Sequence, residues 1–418
     1  MILESVIKHA LPALNKFFKK EAKQILEGLL ESRIEEPEKA VEQAISNTER
    51  ATLYIHIPFC IKPCKFCCFV RFRYSEEAYK EYMKSLKKEV ENYIKKAGDK
   101  INSIYIGGGT PTINRNGILE LLDLIRNELG PIDISLEAHP ATIDDEFAKE
   151  LSRRVSRISI GVQSFSQEIL DALGRGTHTP KKAIEALESV KGLFETVNAD
   201  LISSVPNQNP MDVVRDALWL LDNYCDEVTI YPLLVAWGSE KIWGASLDKV
   251  DFKHQTTIFR EMMKRKIRFV TPWCYSRIKP RLIDEYFIET TDYLGAGLSS
   301  IGKCGRIIYT NTFNLEKYSR LVSTRGFSVR TSTKLKESEE AGYRALIEAF
   351  GLRIRRETIE ELEEHYKYAV KLLKSFLELE NNFYKPRGLL AYYAIHKVMK
   401  TFLEGIAWLR VEALRRGV

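Results

Sequence analysis

Three cysteines close together near the start of the chain could hold a metal centre. Cys60, Cys64 and Cys67 are spaced C-x3-C-x2-C within the segment HIPFCIKPCKFCCF, which begins at His56. Four thiolates saturate a four-iron, four-sulfur cluster, so three on one loop would leave one iron open to a small molecule. A zinc site that includes His56, or thiols without metal, are the alternatives. Zinc normally needs a second ligand pair far along the chain, so the spacing favours the iron–sulfur cluster.

The residues around these cysteines refine the prediction. Pro63 restricts the loop, and Phe66 offers a flat ring beside the last cysteine of the motif. Cys68 directly follows Cys67, and neighbouring side chains of an extended chain point in opposite directions. We therefore expect Cys68 to be a poor fourth ligand, with its role open. The remaining cysteines stand alone in the sequence: Cys225, Cys274 and Cys304.

Glycines and carboxylates end several apolar runs further along the chain. Gly107, Gly108 and Gly109 lack Cβ atoms and would let the backbone approach a ligand, although a tight turn without a ligand is the alternative. No Gly-Lys-Ser/Thr follows them, so this is not a phosphate-binding loop. Glu137 and Asp200 each end an apolar run, where a carboxylate would face the chemistry. An exposed salt bridge is the alternative for both.

Alternating strands and helices are predicted to position these residues. Runs rich in β-forming residues begin at Thr52, Ser103, Asp133, Arg157, Val197, Glu227 and Arg268. Between them lie segments of helical periodicity, such as YKEYMKSLKKEVENYIKKA and GILELLDLIRNEL. This alternation predicts a parallel sheet built from βα units, and hence an α/β barrel or a doubly wound fold. In both architectures the chemistry lies at the C-terminal ends of the strands.

The rest of the chain reads as mainly helical. Residues 1–50 are predicted to form a helical leader, residues 51–290 the βα barrel, and residues 291–418 a mainly helical C-terminal region. The last segment, GLLAYYAIHKVMKTFLEGIAWLRVEALRRGV, is amphipathic with a basic tail. Packing of this helix on the barrel is favoured over attachment to a membrane surface.

Composition narrows the setting. The 418 residues include 63 basic and 57 acidic side chains, a formal net charge of +6, which is too small an excess to indicate nucleic-acid binding. No apolar stretch is long enough for a transmembrane segment, and the N-terminus does not resemble a secretory signal. The seven cysteines are an odd number and are not spaced as a disulfide framework, so a reduced, cytoplasmic setting is expected.

Several motifs together make the sequence resemble a known family. C-x3-C-x2-C with an aromatic residue before the last cysteine resembles the cluster loop of radical S-adenosylmethionine (SAM) enzymes. YIHIPFCIKPCKFC resembles, more specifically, the oxygen-independent coproporphyrinogen III oxidases and their haem-chaperone relatives. The motifs that follow in family order are IYIGGGTPT, SLEAHP, RISIGVQSF, LGRGTH, NADLISSVP, IYPLL and DYLGAGLSSIGK. The resemblance implies a partial (β/α)6 radical SAM barrel over about residues 50–310, with a helical C-terminal domain.

The resemblance also implies cofactors and their contacts. It implies that Cys60, Cys64 and Cys67 hold a 4Fe–4S cluster whose free iron binds SAM. The residues implied to contact a first SAM are Tyr54, Gly108, Glu137 and Ile301. The residues implied to contact a second SAM are Phe66, Gly109, Thr110, Gln163, Arg175 and Asp200. The implied reaction is reductive cleavage of SAM to a 5′-deoxyadenosyl radical, which takes a hydrogen atom from a substrate. No side-chain general base is required.

Departures from the family pattern leave the substrate open. Residues 1–50 lack the Tyr/Pro-rich, arginine-containing segment of the oxidase, and Cys68 follows Cys67 without the intervening glycine. LGRGTH has one additional residue before its histidine, and ISSVP lacks a glycine. The resemblance therefore implies an oxidoreductase acting on a tetrapyrrole-like or other small substrate. The alternatives are a methylase that uses two SAM molecules, a haem-binding chaperone on the same scaffold, and a zinc-stabilised binding barrel.

A few further residues are assigned from the sequence. Lys62, Lys65, Arg71 and Arg73 surround the cysteine loop. They are expected to form a solvated basic face, or to dock an acidic one-electron donor such as a ferredoxin or flavodoxin. His178 is expected at the surface. The tryptophans predicted to lie in the core rather than to stack on a substrate are Trp237, Trp243 and Trp273.

Overall fold

A computed structural model gives the fold of most of the chain. It describes residues 19–20, 22–32, 36–238, 243, 247–278 and 292–417. Most of the predicted N-terminal leader and the predicted boundary between residues 290 and 291 therefore lie outside the described residues. The domain limits stay predictions.

The strands of the described residues are, in chain order, β1 (Ala51–Ile57), β2 (Phe59–Cys60), β3 (Phe72–Arg73), β4 (Ile101–Gly108), β5 (Asp133–Ala138), β6 (Arg157–Gln163), β7 (Thr196–Ser203), β8 (Glu227–Pro232), β9 (Arg268–Phe269), β10 (Cys274–Ser276), β11 (Tyr293–Ala296), β12 (Ile301–Cys304), β13 (Ile307–Asn311), β14 (Val329–Lys334), β15 (Ile354–Arg355), β16 (Leu377–Glu380) and β17 (Phe383–Pro386).

The α-helices cover residues 22–31 and then Pro37–Ser46, Glu76–Ala97, Arg115–Leu129, Asp145–Ser152, Gln167–Ala172, Pro180–Val190, Pro210–Asn223, Leu247–Lys264, Leu315–Arg325, Glu337–Phe350, Arg356–Lys374 and Gly388–Arg416. Glu76–Ala97 shows why these segments are helical. Ser75 caps it by accepting from the Ala78 N–H at 3.3 Å, and acidic residues occupy its first turn and lysines its last.

One large sheet organises the molecule. Its twelve strands run in the order β14-β13-β12-β11-β1-β4-β5-β6-β7-β8-β10-β9. Strands β1, β4, β5, β6, β7 and β8 are parallel to their neighbours within this set, with helices in the connections. Every residue of β1 and β6 is buried, as expected when helices cover a parallel sheet. The predicted fold class, α/β with a partial (β/α)6 barrel, is confirmed.

The last predicted barrel strand differs from the expectation. Within RFVTPW only β9 forms, and it pairs antiparallel with β10, which in turn pairs antiparallel with β8. The chain between β9 and β10 is only a few residues long. A parallel pairing needs a crossover of a dozen or more residues, so this segment closes the sheet as a hairpin.

The C-terminal region adds both strands and helices. Strand β11 is parallel to β1, and β12 to β14 extend the sheet from it in antiparallel pairs. Beyond them the region is mainly helical, as predicted, with a small sheet in the order β15-β17-β16 that the sequence did not indicate. No helix among the described residues is both long and apolar enough to cross a membrane.

The helix Gly388–Arg416 packs on the barrel, in agreement with the prediction. Met399 is buried with Trp273 and Phe350 in one apolar cluster. Trp273 is fully buried, as expected, while Trp237 and Trp243 are half-buried. The helix therefore shares its core with the end of the parallel sheet.

A buried polar chain joins this helix to the barrel. Trp273 Nε1–H donates to His396 Nδ1 at 2.8 Å, so His396 is neutral there and donates from Nε2 to Asp251 at 2.9 Å. Ser204 Oγ donates to the second oxygen of Asp251 at 3.1 Å. Burial opposes ionisation of Asp251, but the hydrogen bond from His396 and the nearby Lys400 and Lys397 ammonium groups lower the pKa of Asp251 to about 2.

We predict that Asp251→Asn lowers the free energy of unfolding by roughly 2 kcal/mol at pH 7. The reason is that the pKa of Asp251 is lower in the folded state than in the unfolded state, so the ionised carboxylate stabilises the fold. The ionised carboxylate stabilises the fold above about pH 4, and this contribution disappears as the pH falls from about 4 to about 2. Urea denaturation at pH 7 and at acid pH should show the difference between variant and wild type shrinking in acid.

Asp248→Asn is the matched control, because Asp248 lies on the same helix with a side chain that is 83% exposed. Its surface ion pair with Lys397 should contribute less than about 1 kcal/mol. An equal loss of stability in both variants would contradict the role assigned to Asp251.

Candidate functional site

A cavity of about 260 Å³ opens at the C-terminal ends of the parallel strands. All the residues that the sequence nominated line it. They are Cys60, Cys64 and Cys67 of the metal motif, together with Tyr54, Phe66, Gly108, Gly109, Thr110, Glu137, Gln163, Arg175, Asp200 and Ile301. These residues come from β1, β2, β4 to β7, β12 and the loops after them. The structure brings them together, and their roles as ligands stay predictions.

The cysteine loop leaves β2 and returns at β3, which pair with each other. Cys60 and Cys64 are buried. Thr110 Oγ1 donates to Cys60 Sγ at 3.7 Å, and Arg175 Nη1 donates to Cys64 Sγ at 3.6 Å. Burial raises the pKa of Cys60, which the Thr110 hydrogen bond opposes, and burial raises the pKa of Cys67 to about 12. Two of the thiols are thus protonated in the metal-free protein at neutral pH.

Cys68 lies elsewhere than expected. The segment from residue 64 to residue 70 is a series of turns and bends rather than an extended strand, so the alternation rule does not apply. Cys68 lines the same cavity as the other three cysteines of the loop. Burial raises the pKa of its thiol. The expectation that Cys68 points away from the site was wrong.

Arg71 departs from the predicted basic face. Lys62, Lys65 and Arg73 are exposed, but Arg71 is half-buried and holds the cysteine loop. Its Nη2 donates to the Cys64 carbonyl at 2.6 Å, and its Nη1 donates to the Phe69 carbonyl at 3.0 Å. The guanidinium fork satisfies two carbonyls that the turns leave without a strand partner.

His56 is a structural residue and not a metal ligand. Its Nε2–H donates to the Val70 carbonyl at 3.0 Å, so Nδ1 accepts from the Tyr54 hydroxyl at 2.8 Å. Both ring nitrogens are occupied. Burial lowers the pKa of His56 to about 3, which keeps the ring neutral. The zinc alternative that used His56 therefore loses this ligand.

Gly107, Gly108 and Gly109 lie so close to other parts of the protein that none of them has space for a Cβ atom. A Cβ on Gly107 would lie 2.9 Å from the Glu137 carboxyl carbon, and one on Gly109 would lie 2.7 Å from the Phe59 carbonyl. Gly108 has φ of +121°, and its Cβ would lie 2.8 Å from the His56 ring. The glycines are thus explained first by packing against β1, β5 and the cysteine loop, while Gly108 and Gly109 also line the cavity.

Both predicted carboxylates are held by hydrogen bonds. Glu137 accepts from Tyr105 Oη at 3.0 Å and from the Gly108 N–H at 3.1 Å, through different oxygens. Asp200 accepts from Ser159 Oγ at 2.9 Å and from Asn198 Nδ2 at 2.8 Å. Both line the cavity, but only Glu137 lies at the end of its strand, because β7 continues past Asp200 to Ser203.

Gln163 occupies an unusual backbone position. A bulge interrupts the pairing of β6 with β7 there, and Gln163 has φ of +69°. Non-glycine residues with positive φ are uncommon and concentrate at functional sites. Arg175 lies beside it and donates from Nη2 to the Gly161 carbonyl at 2.9 Å. Both side chains line the cavity.

His178 is buried, contrary to the expectation of a surface position. Its Nε2–H donates to the Val162 carbonyl at 3.2 Å, and its ring packs edge-on against His139, with the centroids 5.1 Å apart. Burial lowers the pKa of His178 to about 4. The LGRGTH segment folds back under the barrel mouth, which local sequence signals do not indicate.

One wall of the cavity was missed by the sequence analysis. Its lining residues from the C-terminal region are Tyr343, Phe402, Leu403, Ile406 and Arg410. Four of them recur at helical spacing on the helix Gly388–Arg416, which could have indicated one exposed or buried face. This helix lies over 300 residues after the cysteine loop in the sequence. No local sequence signal indicates that one of its faces meets that loop.

Comparison with known proteins agrees with this architecture. Residues 54–220 match the model of the radical SAM superfamily. The heme chaperone HemW of Escherichia coli is 36% identical over 173 residues, which are 40% of this chain and 46% of that protein. The HemW of Bacillus subtilis is 25% identical over 321 residues, which are 69% of this chain and 80% of that protein.

A solved structure extends the likeness of the fold. The coproporphyrinogen III oxidase HemN from Escherichia coli superimposes with a TM-score of 0.72 at 21% identity, over 89% of this chain and 95% of that one. The chain is therefore similar to the radical SAM superfamily over residues 54–220 and to HemW over a longer stretch, and it shares the fold of HemN. Members of this superfamily are expected to use a 4Fe–4S cluster and SAM.

We predict that Gly109→Ala destabilises the fold by about 1–3 kcal/mol, because the added methyl group overpacks the cysteine loop. The new Cβ would lie 2.7 Å from the Phe59 carbonyl and 3.0 Å from Cys60 Sγ. Thermal melting should report the loss, and alkylation of Cys60 by iodoacetamide, followed by peptide mass spectrometry, should become faster. Gly176→Ala is the control, because the nearest atom to its Cβ is Lys62 Nζ at 3.9 Å. Similar behaviour of the two variants would contradict the steric assignment.

Proposed function

We propose that this protein cleaves SAM reductively at a 4Fe–4S cluster held by Cys60, Cys64 and Cys67. The single observation that carries the proposal is the meeting of these three thiols with ten other nominated residues in one cavity at the mouth of the parallel barrel. Cys60, Cys64 and Cys67 would hold the cluster, which when reduced would supply the single electron needed to split SAM into methionine and the 5′-deoxyadenosyl radical. A cytoplasmic location, which keeps thiols reduced, fits this chemistry.

The donor set fits an iron–sulfur cluster. Three thiols on one loop face a common cavity, and hydroxyl and guanidinium N–H donors reach two of the sulfurs. Such donors stabilise thiolate sulfur and influence the potential of a cluster. Among the described residues, no three His, Cys, Asp or Glu side chains converge as the ligands of a single metal ion.

The remaining residues of the site are proposed to bind and orient SAM. Glu137, with both oxygens held, presents a fixed carboxylate beside Tyr54 and Ile301 for a first SAM, together with Gly108. Arg175 has the planar fork that suits a SAM carboxylate. It is proposed to act on a second SAM with the group Phe66, Gly109, Thr110, Gln163 and Asp200. The protein contributes positioning, fixed charges and exclusion of water.

The substrate is proposed to be a tetrapyrrole-like or similar small molecule, and the activity that of an oxidoreductase. The apolar wall of Tyr343, Phe402, Leu403 and Ile406 supports a substrate with a large apolar surface. Two SAM sites would also suit a methylase, in which one molecule supplies the methyl group and the other the radical. The mass of the product separates decarboxylation from methyl transfer.

A haem carrier is the second candidate. It is favoured by the name heme chaperone HemW, which relatives of 25% to 36% identity carry. In that case the same cavity and apolar wall would hold haem without turning it over. Stoichiometric haem binding without formation of 5′-deoxyadenosine would support the carrier over the enzyme.

We predict that anaerobic reconstitution of the wild type gives about four irons per chain, as for one 4Fe–4S cluster. Dithionite and SAM should then yield 5′-deoxyadenosine. Cys60→Ser, Cys64→Ser and Cys67→Ser should each lose bound iron and reduce 5′-deoxyadenosine to background, because three thiolates are the minimum that holds the cluster here.

Cys225→Ser and Cys68→Ser complete this test. Cys225 is buried away from the cavity, so its variant should keep the wild-type iron content and product. Cys68→Ser should also keep its iron, because three other cysteines suffice. Iron loss in Cys68→Ser, or iron retention in the three motif variants, would overturn the assignment of ligands. Tight zinc without iron in the wild type would overturn the proposal itself.

An acidic electron donor is proposed to dock beside the cysteine loop. Lys62, Lys65 and Arg73 are exposed there. Ile61, between Cys60 and Lys62, has a side chain that is 48% exposed and would form an apolar centre for the contact. A ferredoxin or flavodoxin carries the complementary charge and would approach close to the cluster.

We predict that the double variant Lys62→Glu/Lys65→Glu slows reduction by flavodoxin about tenfold at low salt, because repulsion replaces electrostatic steering. The difference from wild type should shrink at high salt. Stopped-flow absorbance of the cluster measures the rate. Lys249→Glu/Lys264→Glu, at two exposed positions on the helix Leu247–Lys264, controls for the same change of net charge. Unaltered reduction rates in the double variant at low salt would exclude this docking face.

A further inference from the structure

We propose that Arg410 anchors a carboxylate of the substrate, while the apolar wall of the same helix holds the substrate's apolar body. The inference rests on the proposed function, because it names the chemistry of the molecule that enters that cavity. It predicts a specificity residue that lies in the C-terminal region, outside the segment matched by the superfamily model. What the residues define is one contact, between the Arg410 guanidinium and a carboxylate on a molecule with an apolar surface.

Arg410 lies on the helix face that forms the wall. Leu403, Ile406 and Arg410 are spaced i, i+3 and i+7, so their side chains share one side of the helix Gly388–Arg416. All three line the cavity, as does Phe402. An amphiphilic molecule placed along this face would meet apolar side chains first and a guanidinium one turn further on.

The guanidinium of Arg410 is held in place by groups that do not neutralise it. Its Nη1 donates to the Cys68 carbonyl at 3.0 Å, and its planar group lies 4.6 Å from the centre of the Phe69 ring. Within the described part of the chain, Arg410 forms no ion pair with a carboxylate. Arg416, on the same helix, pairs with Glu412 at 2.9 Å. Arg410 therefore presents to the cavity a positive charge that is fixed in position and has no ion-pair partner among the described residues.

A charge in this position favours an anionic ligand. A half-buried guanidinium without an acidic partner is costly unless an anion or solvent compensates it. Its planar fork matches a carboxylate, and the stacked ring and the carbonyl fix its orientation before the ligand arrives. The carboxylates that line the same cavity, Glu137 and Asp200, already accept hydrogen bonds from the barrel. The geometry thus separates a polar half of the cavity from an apolar half that ends in one cation.

The test compares two probes that share one macrocycle and differ in their carboxylates, which are free in one and methylated in the other. Protoporphyrin IX carries two carboxylates, and its dimethyl ester carries none. Equilibrium dialysis of both against the anaerobically reconstituted full chain gives their dissociation constants. We expect the wild type to bind the diacid more tightly than the diester. Arg410→Gln should weaken diacid binding about tenfold, the scale of one charge-assisted hydrogen-bonded pair, and leave diester binding unchanged. Arg410→Lys, which keeps the charge without the fork, should fall between.

Arg415→Gln is the matched control, since it removes the same charge from an exposed position with a side chain that is 74% exposed. It should bind both probes as the wild type does. The proposal is overturned if the diacid does not bind, if Arg410→Gln leaves diacid binding unchanged, or if it weakens both probes equally. The last result would mean that Arg410 only supports the cysteine loop through Cys68.

A second measurement on the same wild-type preparation, the formation of 5′-deoxyadenosine, tests the proposed function independently of the Arg410 anchor. Charge-dependent binding at Arg410 without SAM cleavage would keep the anchor and remove the proposed enzyme in favour of a carrier. SAM cleavage without charge-dependent binding would keep the enzyme and remove the anchor.

Discussion

The buried imidazole of His56 is the point on which the site depends. Its Nε2–H binds the Val70 carbonyl at the end of the cysteine loop, and its Nδ1 accepts from Tyr54 on the same strand. Gly108 and Gly297, from the strand ends on either side of β1, pack so closely against His56 that a Cβ would lie 2.8 Å from its ring and 2.5 Å from its carbonyl. Burial keeps the ring neutral, which fixes the tautomer and with it the direction of both hydrogen bonds. One strand residue thus sets the position of the loop against the barrel.

The parts of the site that the sequence predicted are those set by short-range geometry. Strand ends of a parallel sheet meet at one edge, so Glu137 and Asp200 could be placed at the barrel mouth without knowing the fold in detail. The motif order of the family then supplied Gln163 and Arg175. The errors share a cause, because Cys68, Arg71 and His178 lie outside helices and strands, where side chains follow no fixed alternation. The antiparallel β9–β10 hairpin and the wall from the last helix depend on contacts between distant segments, which no local pattern encodes.

The cavity has a polar half and an apolar half. This division matters because the likeness to the radical SAM superfamily covers only part of the chain. The polar half holds the three motif cysteines with Thr110, Glu137, Arg175 and Asp200, and most of it falls within the segment that matches the radical SAM superfamily. The apolar half combines Ile202, Tyr231, Pro232 and Leu234 with the helix wall of the C-terminal region, which lies beyond that match. The likeness to the superfamily therefore bears on the part of the cavity that holds the cysteine motif, and it does not extend to the residues of the apolar part that come from the C-terminal region. A division of this kind lets an oxidase and a chaperone share one fold.

The apolar half keeps its position because its helix is fixed to the barrel at a second place. His396, two to three turns before Ile406, is bonded on one side to Trp273 and on the other to Asp251, which in turn accepts from Ser204 just beyond the end of β7. At a rise of about 1.5 Å per residue, His396 and Ile406 are about 15 Å apart along one continuous helix. Since a helix transmits displacement along its axis, the buried chain at His396 holds the wall that contains Phe402 and Ile406 against the strand ends. A buried polar chain contributes little net stability by itself. Here it serves to align the two halves of the cavity.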